Sequence, residues 1–293
     1  MSEPVSEPSI GIFDSGVGGL TVYRAVRERL PQEKIIYLGD TARIPYGTRS
    51  PATIRRYAYQ DVAFLYKQNV KLLVIACNTI SSVALDLLTE SFPVPILGVI
   101  GPGAKKAVKT TKNGRIGVIA TEATIESRAY ETAIQELDPR VEVYTQACPL
   151  FVALAEEGWH NHAATKLIAN EYLSVLQSKD IDTLVLGCTH YPLLKEVIKS
   201  VVGSQVTLID SGACVAQEVE SLIKNSKNLA STSNAYLDSF YVTDSGKRFC
   251  RIAELFLGQP IENLIAVDIW DENAKTKNNN KLDLIASLSP KIL

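Results

Sequence analysis

The chain has no apolar run approaching the ~20 residues needed to cross a bilayer, and it contains no CxxC pair. Only three histidines are present, His160, His162 and His190. Zinc sites draw on cysteine and histidine at short spacings, so no metal is expected. Neither sign of charge is in excess: 30 lysines and arginines face 32 acids, for a net charge of −2. A nucleic-acid or anionic-membrane partner would require a basic surplus, and neither is expected. Met1 to Ser9 carries acids and prolines but no basic region followed by an apolar one, so no signal peptide is read there. The five cysteines are odd in number and follow no framework spacing, which suggests reduced thiols and a cytoplasmic setting.

What is present is a long alternation of strands and helices. The 293 residues, 46% apolar and 21% charged, suffice for two ordinary domains with ample cores. Ile10 to Phe13 reads as a buried strand, followed by the turn Asp14-Ser15-Gly16-Val17-Gly18-Gly19 and a helix from Leu20 to Leu30. Such a strand–turn–helix unit has two readings. It can be an anion or carboxylate site built on free N–H groups, or a tight crossover turn. Further strands are expected at Lys34–Leu38, Leu72–Ala76, Val94–Ile100, Arg115–Thr121, Val141–Tyr144, Thr183–Gly187, Val206–Asp210 and Phe240–Asp244. Helices are expected over Pro51–Asn69, Ser81–Glu90, Thr124–Leu137, Ala163–Gln177, Leu193–Val202, Ala213–Lys224 and Lys247–Leu257. The stretch from Cys148 to Trp159 reads as a loop, and Asn225 to Asn234 as a mobile one. The aromatic stripe Tyr57, Tyr59, Phe64 and Tyr66 reads as helix packing.

The order of elements repeats. Ser9 to Ser15 is matched by Arg115 to Thr121, an offset of 106 positions from 15 to 121, and Cys77 by Cys188, an offset of 111. The fold class expected is therefore α/β: two similar parallel-sheet domains related by a pseudo-twofold duplication, with the active site in the cleft between them. Residues 1–98 with 208–267 would form the first domain and 99–207 the second, while 268–293 reads as a flexible tail.

The two cysteine strands carry the chemistry. Leu72-Leu73-Val74-Ile75-Ala76-Cys77-Asn78-Thr79 and Thr183-Leu184-Val185-Leu186-Gly187-Cys188-Thr189-His190 each run apolar, stop at a small residue, and end in a thiol followed by polar side chains. Ligands of open parallel sheets lie beyond the carboxyl ends of the strands. A lone cysteine is more often a small buried hydrophobe, the role given to Cys148, Cys214 and Cys250. A matched pair is different. One thiol on each wall of a cleft suits removal of a proton from one face of a carbon and delivery to the other. An ordinary thiol is only a few per cent ionised at neutral pH, so neighbours must assist. Asp14 stands near Cys77 in this scheme, Glu156 near Cys188, and His190 two residues beyond Cys188. His160 and His162, outside any motif, read as surface residues. A histidine in the place of His190 can also simply cap a backbone group.

Together Asp14-Ser15-Gly16-Val17-Gly18-Gly19-Leu20, Asp40-Thr41-Ala42-Arg43, Pro45-Tyr46-Gly47, Ala76-Cys77-Asn78-Thr79 and Gly187-Cys188-Thr189-His190-Tyr191-Pro192-Leu193 resemble the glutamate racemases of the aspartate/glutamate racemase superfamily. The likeness covers roughly Ile10 to Gly258. It implies a cofactor-independent enzyme that interconverts L- and D-glutamate and supplies D-glutamate for peptidoglycan, with a small-molecule substrate and a homodimeric assembly. It implies that Cys77 is the base toward D-glutamate and Cys188 the base toward L-glutamate. Asp14, Glu156 and His190 would assist, and Asp40 matches a further family carboxylate. Substrate contacts implied are Asp14, Ser15, Tyr46, Gly47, Asn78, Thr79, Thr121, Thr124, Thr189 and His190. Glu156 rather than Glu157 matches the family acid two before the glycine, although Ala153 stands where the family has proline. An aspartate or related racemase, or a non-catalytic amino-acid-binding protein, are the rival expectations.

Overall fold

A computed structural model describes residues 8–226, 229, 237–244 and 246–270. The long apolar runs become strands buried on both faces, as parallel sheets require. The first half contains β1 (Ser9–Asp14), α1 (Leu20–Arg29), β2 (Ile35–Gly39), α2 (Pro51–Tyr66), β3 (Val70–Ile75), α3 (Asn78–Val83), α4 (Leu85–Ser91), β4 (Ile96–Gly98) and α5 (Ile100–Thr110). The second contains β5 (Arg115–Ala120), α6 (Glu122–Glu126), α7 (Ala129–Leu137), β6 (Glu142–Ala147), α8 (Leu150–Glu156), α9 (Ala163–Gln177), β7 (Thr183–Gly187), α10 (Lys195–Val202), β8 (Thr207–Asp210) and α11 (Ser211–Asn225). The chain then adds β9 (Ser239–Val242), α12 (Gly246–Leu257) and β10 (Leu264–Ala266).

Two all-parallel sheets result, in the orders β10-β9-β2-β1-β3-β4 and β6-β5-β7-β8. The order β2-β1-β3-β4 recurs as β6-β5-β7-β8, so the duplication legible in the sequence is a duplication of topology. The C-terminal strands β9 and β10 extend the first sheet beyond β2. The second sheet stops at β6, whose residues are only half-buried or exposed, as an edge strand's are.

Alternation along each strand sorts residues to the two faces. Ile10, Ile12, Ile35, Tyr37, Leu72 and Val74 meet α1, α11 and α12 on one side of the first sheet. Phe13, Ile36, Leu38, Leu73 and Ile75 meet α2, α3 and α4 on the other. The aromatic stripe of α2 packs as expected: Tyr59 and Tyr66 lie 5.3 and 5.7 Å from Phe92, Phe64 5.2 Å from Tyr241, and Tyr57 5.7 Å from Tyr46.

Several expectations need correction. β8 pairs with β7, so the boundary drawn at 208 cuts a strand of the second sheet, and the return toward the first sheet begins after Asp210. The strand drawn over Val94–Ile100 shrinks to Ile96–Gly98, and α5 begins at Ile100. Gly101, Pro102 and Gly103 fall in the first turn of α5, where proline is tolerated because its missing N–H would have no intrahelical partner. Cys148 to Trp159, read as a loop, contains the helix α8. The single helices expected at Ser81–Glu90 and Thr124–Leu137 are each broken, at Ala84 and at the left-handed Arg128. Cys148 is buried, but Cys214 and Cys250 are only partly so and are not core residues. His162 is exposed and caps α9, whereas His160 is half-buried rather than on the surface. Most of the loop expected at Asn225–Asn234, and of the tail from 271 on, lies outside the described residues. Among the described residues no helix is long and apolar enough to cross a membrane.

Asp238 fastens the C-terminal addition to the first sheet. Its carboxylate accepts from Tyr23 Oη at 2.6 Å, Arg27 Nε at 3.0 Å and the Ile35 amide at 2.9 Å, and it pairs with Arg27 Nη2. The side chain is largely shielded, so losing it leaves four partly buried donor atoms without their acceptor. Asp238→Ala is expected to cost about 3 kcal/mol in urea-induced unfolding. A loss below about 0.5 kcal/mol, the value of an exposed pair, would show that the clamp does not hold β9 in place.

Candidate active site

The carboxyl ends of the central strands of both sheets deliver polar residues to one place. Asp14 closes β1, Asp40 follows β2, Cys77 lies two residues past β3, Thr121 follows β5 and Cys188 follows β7. Between them opens a cleft of about 500 Å³. Of the residues expected at the site, Ser15, Tyr46, Gly47, Cys77, Asn78, Thr79, Thr121, Glu156, Cys188, Thr189 and His190 line it. Asp14 and Thr124 lie just behind this lining, both buried. A separate hollow of about 540 Å³ between α5 and α11, bordered by Lys105, Lys106 and Lys109, holds none of these residues.

The glycine-rich turn is where the two halves touch. A Cβ on Gly18 would lie 2.3 Å from Thr189 Oγ1 and 2.4 Å from the His190 ring. Thr21 Oγ1 donates to the Thr189 carbonyl across the same contact at 3.0 Å. The turn therefore serves close approach of Thr189 and His190. On its inner side the Gly16 amide donates to Asp14 Oδ2 at 2.9 Å.

The two sulfurs sit in different surroundings. Cys77 caps α3 in extended conformation, with its Sγ 3.5 Å from Ser15 Oγ. Burial, and then the Asp14 carboxylate, push its thiol up to about 12, against weaker help from Ser15 and the Ile80 amide. Asp14 is itself raised by burial, with His190 and the Gly16 and Gly19 amides opposing. Cys188 Sγ lies 3.8 Å from His190 Nδ1, and His190 Nε2 lies 3.1 Å from Glu156 Oε1. Burial would push the imidazole down, but Cys188 and Glu156 together raise it to about 10. Burial likewise works against the Glu156 anion, yet His190 and Arg248 leave its pKa lowered. Glu157 beside it is exposed. Cys77 thus has a carboxyl neighbour, and Cys188 has an imidazolium backed by a carboxylate.

Two side groups hold the remaining walls. Thr79, Thr121 and Thr124 form a triangle of hydroxyls, with Oγ1 separations of 2.9, 3.0 and 3.3 Å, that joins α3 to α6 across the cleft. Asp40 faces away from the cleft: its carboxylate takes Arg43 Nε at 2.6 Å, Thr243 Oγ1 at 2.7 Å and the Tyr46 hydroxyl. Arg43 also donates to Asp61 Oδ1 at 2.9 Å and stacks on Tyr57 and Trp270. Burial and Asp40 raise Asp61 well above the usual carboxylate range despite Arg43. One guanidinium thus serves two buried carboxyl groups, and together they fix the Tyr46–Gly47 turn.

Reading the sequence missed Arg248, which reaches the mouth of the cleft from α12 and donates to Glu156 Oε2 at 3.2 Å. It also missed Tyr130, whose hydroxyl donates to Asn78 Oδ1 at 2.7 Å. Neither sits in a motif. Each reaches the site from an element far away in sequence, and no local pattern announces it. Among the described residues no group of three or more histidine, cysteine, aspartate or glutamate side chains could hold a metal.

The model of the Asp/Glu/Hydantoin racemase family matches residues 10–219. The chain is 49% identical to a glutamate racemase of Geobacter metallireducens, over 90% of its own length and 98% of that protein's. Its structure superimposes on a glutamate racemase isoform from Bacillus anthracis with a TM-score of 0.86 and 41% identity, covering 89% of this chain and 98% of that one. The glutamate racemase of Francisella tularensis, solved in complex with D-glutamate, gives a TM-score of 0.85 and 42% identity, covering 90% and 98%. The chain belongs to the Asp/Glu/Hydantoin racemase family and, within it, to the glutamate racemases.

Two outcomes follow from the geometry. Gly18→Ala should leave a folded protein with racemase turnover lowered about 10²-fold, the cost of roughly 1 Å of misplacement at a reacting group. Wild-type turnover in that variant would mean that Thr189 and His190 need not approach so closely. His190 should titrate near pH 10 in a ring-nitrogen NMR titration, and in Glu156→Gln its pKa should move down toward 6.5. Because the folded pKa is the raised one, the pair's contribution to stability is full below about pH 6.5 and is lost as pH climbs through about 10. A wild-type titration below pH 7 would contradict this pairing.

Proposed function

We propose that the cleft binds glutamate and interconverts its L and D enantiomers by moving the α-proton between the substrate carbon and two sulfurs, Cys77 and Cys188. The observation that supports this most is the placing of one buried thiol from each repeat on the lining of a single cleft. Each sheet is the core of one domain in this reading, and the duplication supplies a proton donor and a proton acceptor on opposite sides of one carbon.

The unequal surroundings of the sulfurs set the resting state. The His190 imidazole, raised to about 10, places a positive charge 3.8 Å from the Cys188 sulfur. A thiol pushed up to about 12 holds its proton. A positive charge beside Cys188 suits that sulfur to act as the base toward L-glutamate, with Cys77 as the acid. Cys188 removes the α-proton, leaving a carbanion whose charge spreads into the α-carboxylate. Cys77 delivers its own proton to the opposite face, and D-glutamate results. The charges on the sulfurs are then exchanged, and the reverse reaction starts from that form. Glu156 and His190 stabilise the proton on the Cys188 side, while Asp14 lies where it can pass a proton to or from Cys77.

Ser15, Tyr46, Gly47, Asn78, Thr79, Thr121, Thr124, Thr189 and His190 would hold the two substrate carboxylates, mainly through uncharged donors. Donors of that kind also stabilise the charge that builds on the carboxylate as the proton leaves. The chemistry uses groups of the chain alone, with no cofactor. We further propose that the D-glutamate supplies peptidoglycan synthesis, that the enzyme works in the cytoplasm, and that it forms a homodimer, which light scattering in solution tests.

In D₂O, L-glutamate is expected to give D-glutamate carrying deuterium at the α-carbon, without added cofactor, and L-aspartate to be turned over far more slowly. Cys77→Ser and Cys188→Ser should each lower racemisation about 10²–10⁴-fold, the worth of a positioned acid or base. Water is achiral, so the equilibrium constant is one and kcat/KM must fall equally in both directions in each variant. Racemisation at wild-type speed in either variant would sink the two-thiol mechanism.

A further inference from the structure

Tyr130 bears on both thiol segments at once. It is the second residue of α7, only 2% exposed, and its hydroxyl donates to Asn78 Oδ1, the side chain directly after Cys77. Its ring lies against Gly187, directly before Cys188: a Cβ there would meet Tyr130 Cε2 at 3.1 Å, besides the Ile119 carbonyl at 2.8 Å. On its remaining side it faces Gly103 of α5, where a Cβ would lie 3.4 Å from the Tyr130 hydroxyl.

Asn78 supplies a second, independent observation. Its Nδ2 is buried and has no hydrogen-bond partner among the described residues. Burying an amide donor unpaired costs free energy, so such a group in a cleft lining is a donor kept for something that binds there. An amide has two ends, and rotation by half a turn about its terminal bond exchanges donor for acceptor. The Tyr130 hydroxyl occupies the oxygen and so settles which end of the amide carries the unpaired donor. Burial holds Tyr130 as a neutral phenol, so it retains the proton it donates.

We propose that Tyr130 is a positioning residue for substrate binding: by holding Asn78 Oδ1 it presents the Asn78 amide N–H to a substrate carboxylate. The role rests on the proposed glutamate reading of the site, and it acts through Asn78 rather than through any contact of Tyr130 with the substrate. The amide's bond is made to a carboxylate that is already charged in the bound substrate, so most of its worth lies in binding and its loss appears chiefly in KM, with only the smaller part that grows as the proton leaves falling on kcat.

The test is Tyr130→Phe, which keeps the ring against Gly187 and Gly103 and removes one oxygen. Steady-state kinetics from both enantiomers should show KM for L- and D-glutamate raised about tenfold, as for loss of a charge-assisted hydrogen bond, with kcat within about threefold of wild type. Asn78→Ala should raise KM by at least as much, and the double variant should be no worse than Asn78→Ala alone, because Tyr130 acts only through that amide. A KM within about twofold of wild type in Tyr130→Phe overturns the proposal, even if its melting temperature falls, since a packing role alone would lower stability without touching KM. Effects that multiply in the double variant overturn it too. A wild-type protein inert toward glutamate would overturn the function reading together with this one, whereas an active wild type with an unaltered Tyr130→Phe variant counts against Tyr130 alone.

Discussion

The structure depends on a close contact between backbone and side chain at Gly18. Two sheets of the same strand order present the same ends to each other, and a shared cleft exists only if the turn after β1 lies against the segment after β7. No side chain fits between them: Thr189 Oγ1 and the His190 ring occupy the space a Cβ would need. Once that contact is made, the Thr21–Thr189 bond holds it at 3.0 Å. The triangle formed by Thr79, Thr121 and Thr124 closes the cleft on its other side. The cleft is thus bounded by short polar contacts between the halves, and residues of both line it.

Duplication gives the two sulfurs equivalent backbone positions, and divergence gives them unequal chemistry. Behind Cys77 lies Asp14, nearly free of solvent and satisfied on one oxygen by the Gly16 amide. Behind Cys188 lies a relay of imidazole, carboxylate and guanidinium, with Phe256 edge-on to the His190 ring at 5.4 Å. Both Arg248 and Phe256 come from α12, part of the C-terminal addition that has no counterpart in the second repeat. The asymmetry of the pair thus begins within the repeats, in Asp14 on one side and His190 with Glu156 on the other, and α12 adds Arg248 and Phe256 to the Cys188 side. A carbon with a base on one face needs an acid on the other, and a pair of identical environments would offer neither preferentially.

Around this centre, buried polar groups are arranged in networks whose members satisfy one another, the condition under which burial of charge is tolerable. Arg43 joins Asp40 and Asp61 and carries Tyr46 with them; Tyr130 bonds Asn78 at the start of α3 and packs its ring on Gly187. Neither network reaches far into solvent, so each fixes a loop that would otherwise be free to shift. Asn78 Nδ2 is the buried side-chain nitrogen in the lining that these networks leave without a partner.

Local pattern along the chain specifies the two matched strands, the thiol that follows each, the polar residues after it, and the α/β alternation. These are local patterns: an apolar run of β length, a helical period and a glycine turn are set by neighbours along the chain. Its α9, from Ala163 to Gln177, agrees residue for residue. The tertiary structure decided what depends on distant neighbours. It assigned β8 to the second sheet, made a helix of the segment that carries Glu156, and broke two helices that periodicity alone reads as continuous. It also set which sulfur faces an imidazolium and which a carboxyl, and it brought Arg248 and Tyr130 to the site from 60 and 52 residues away from Cys188 and Asn78. A pKa and an amide's orientation are properties of what surrounds a group in space, and only packing fixes that.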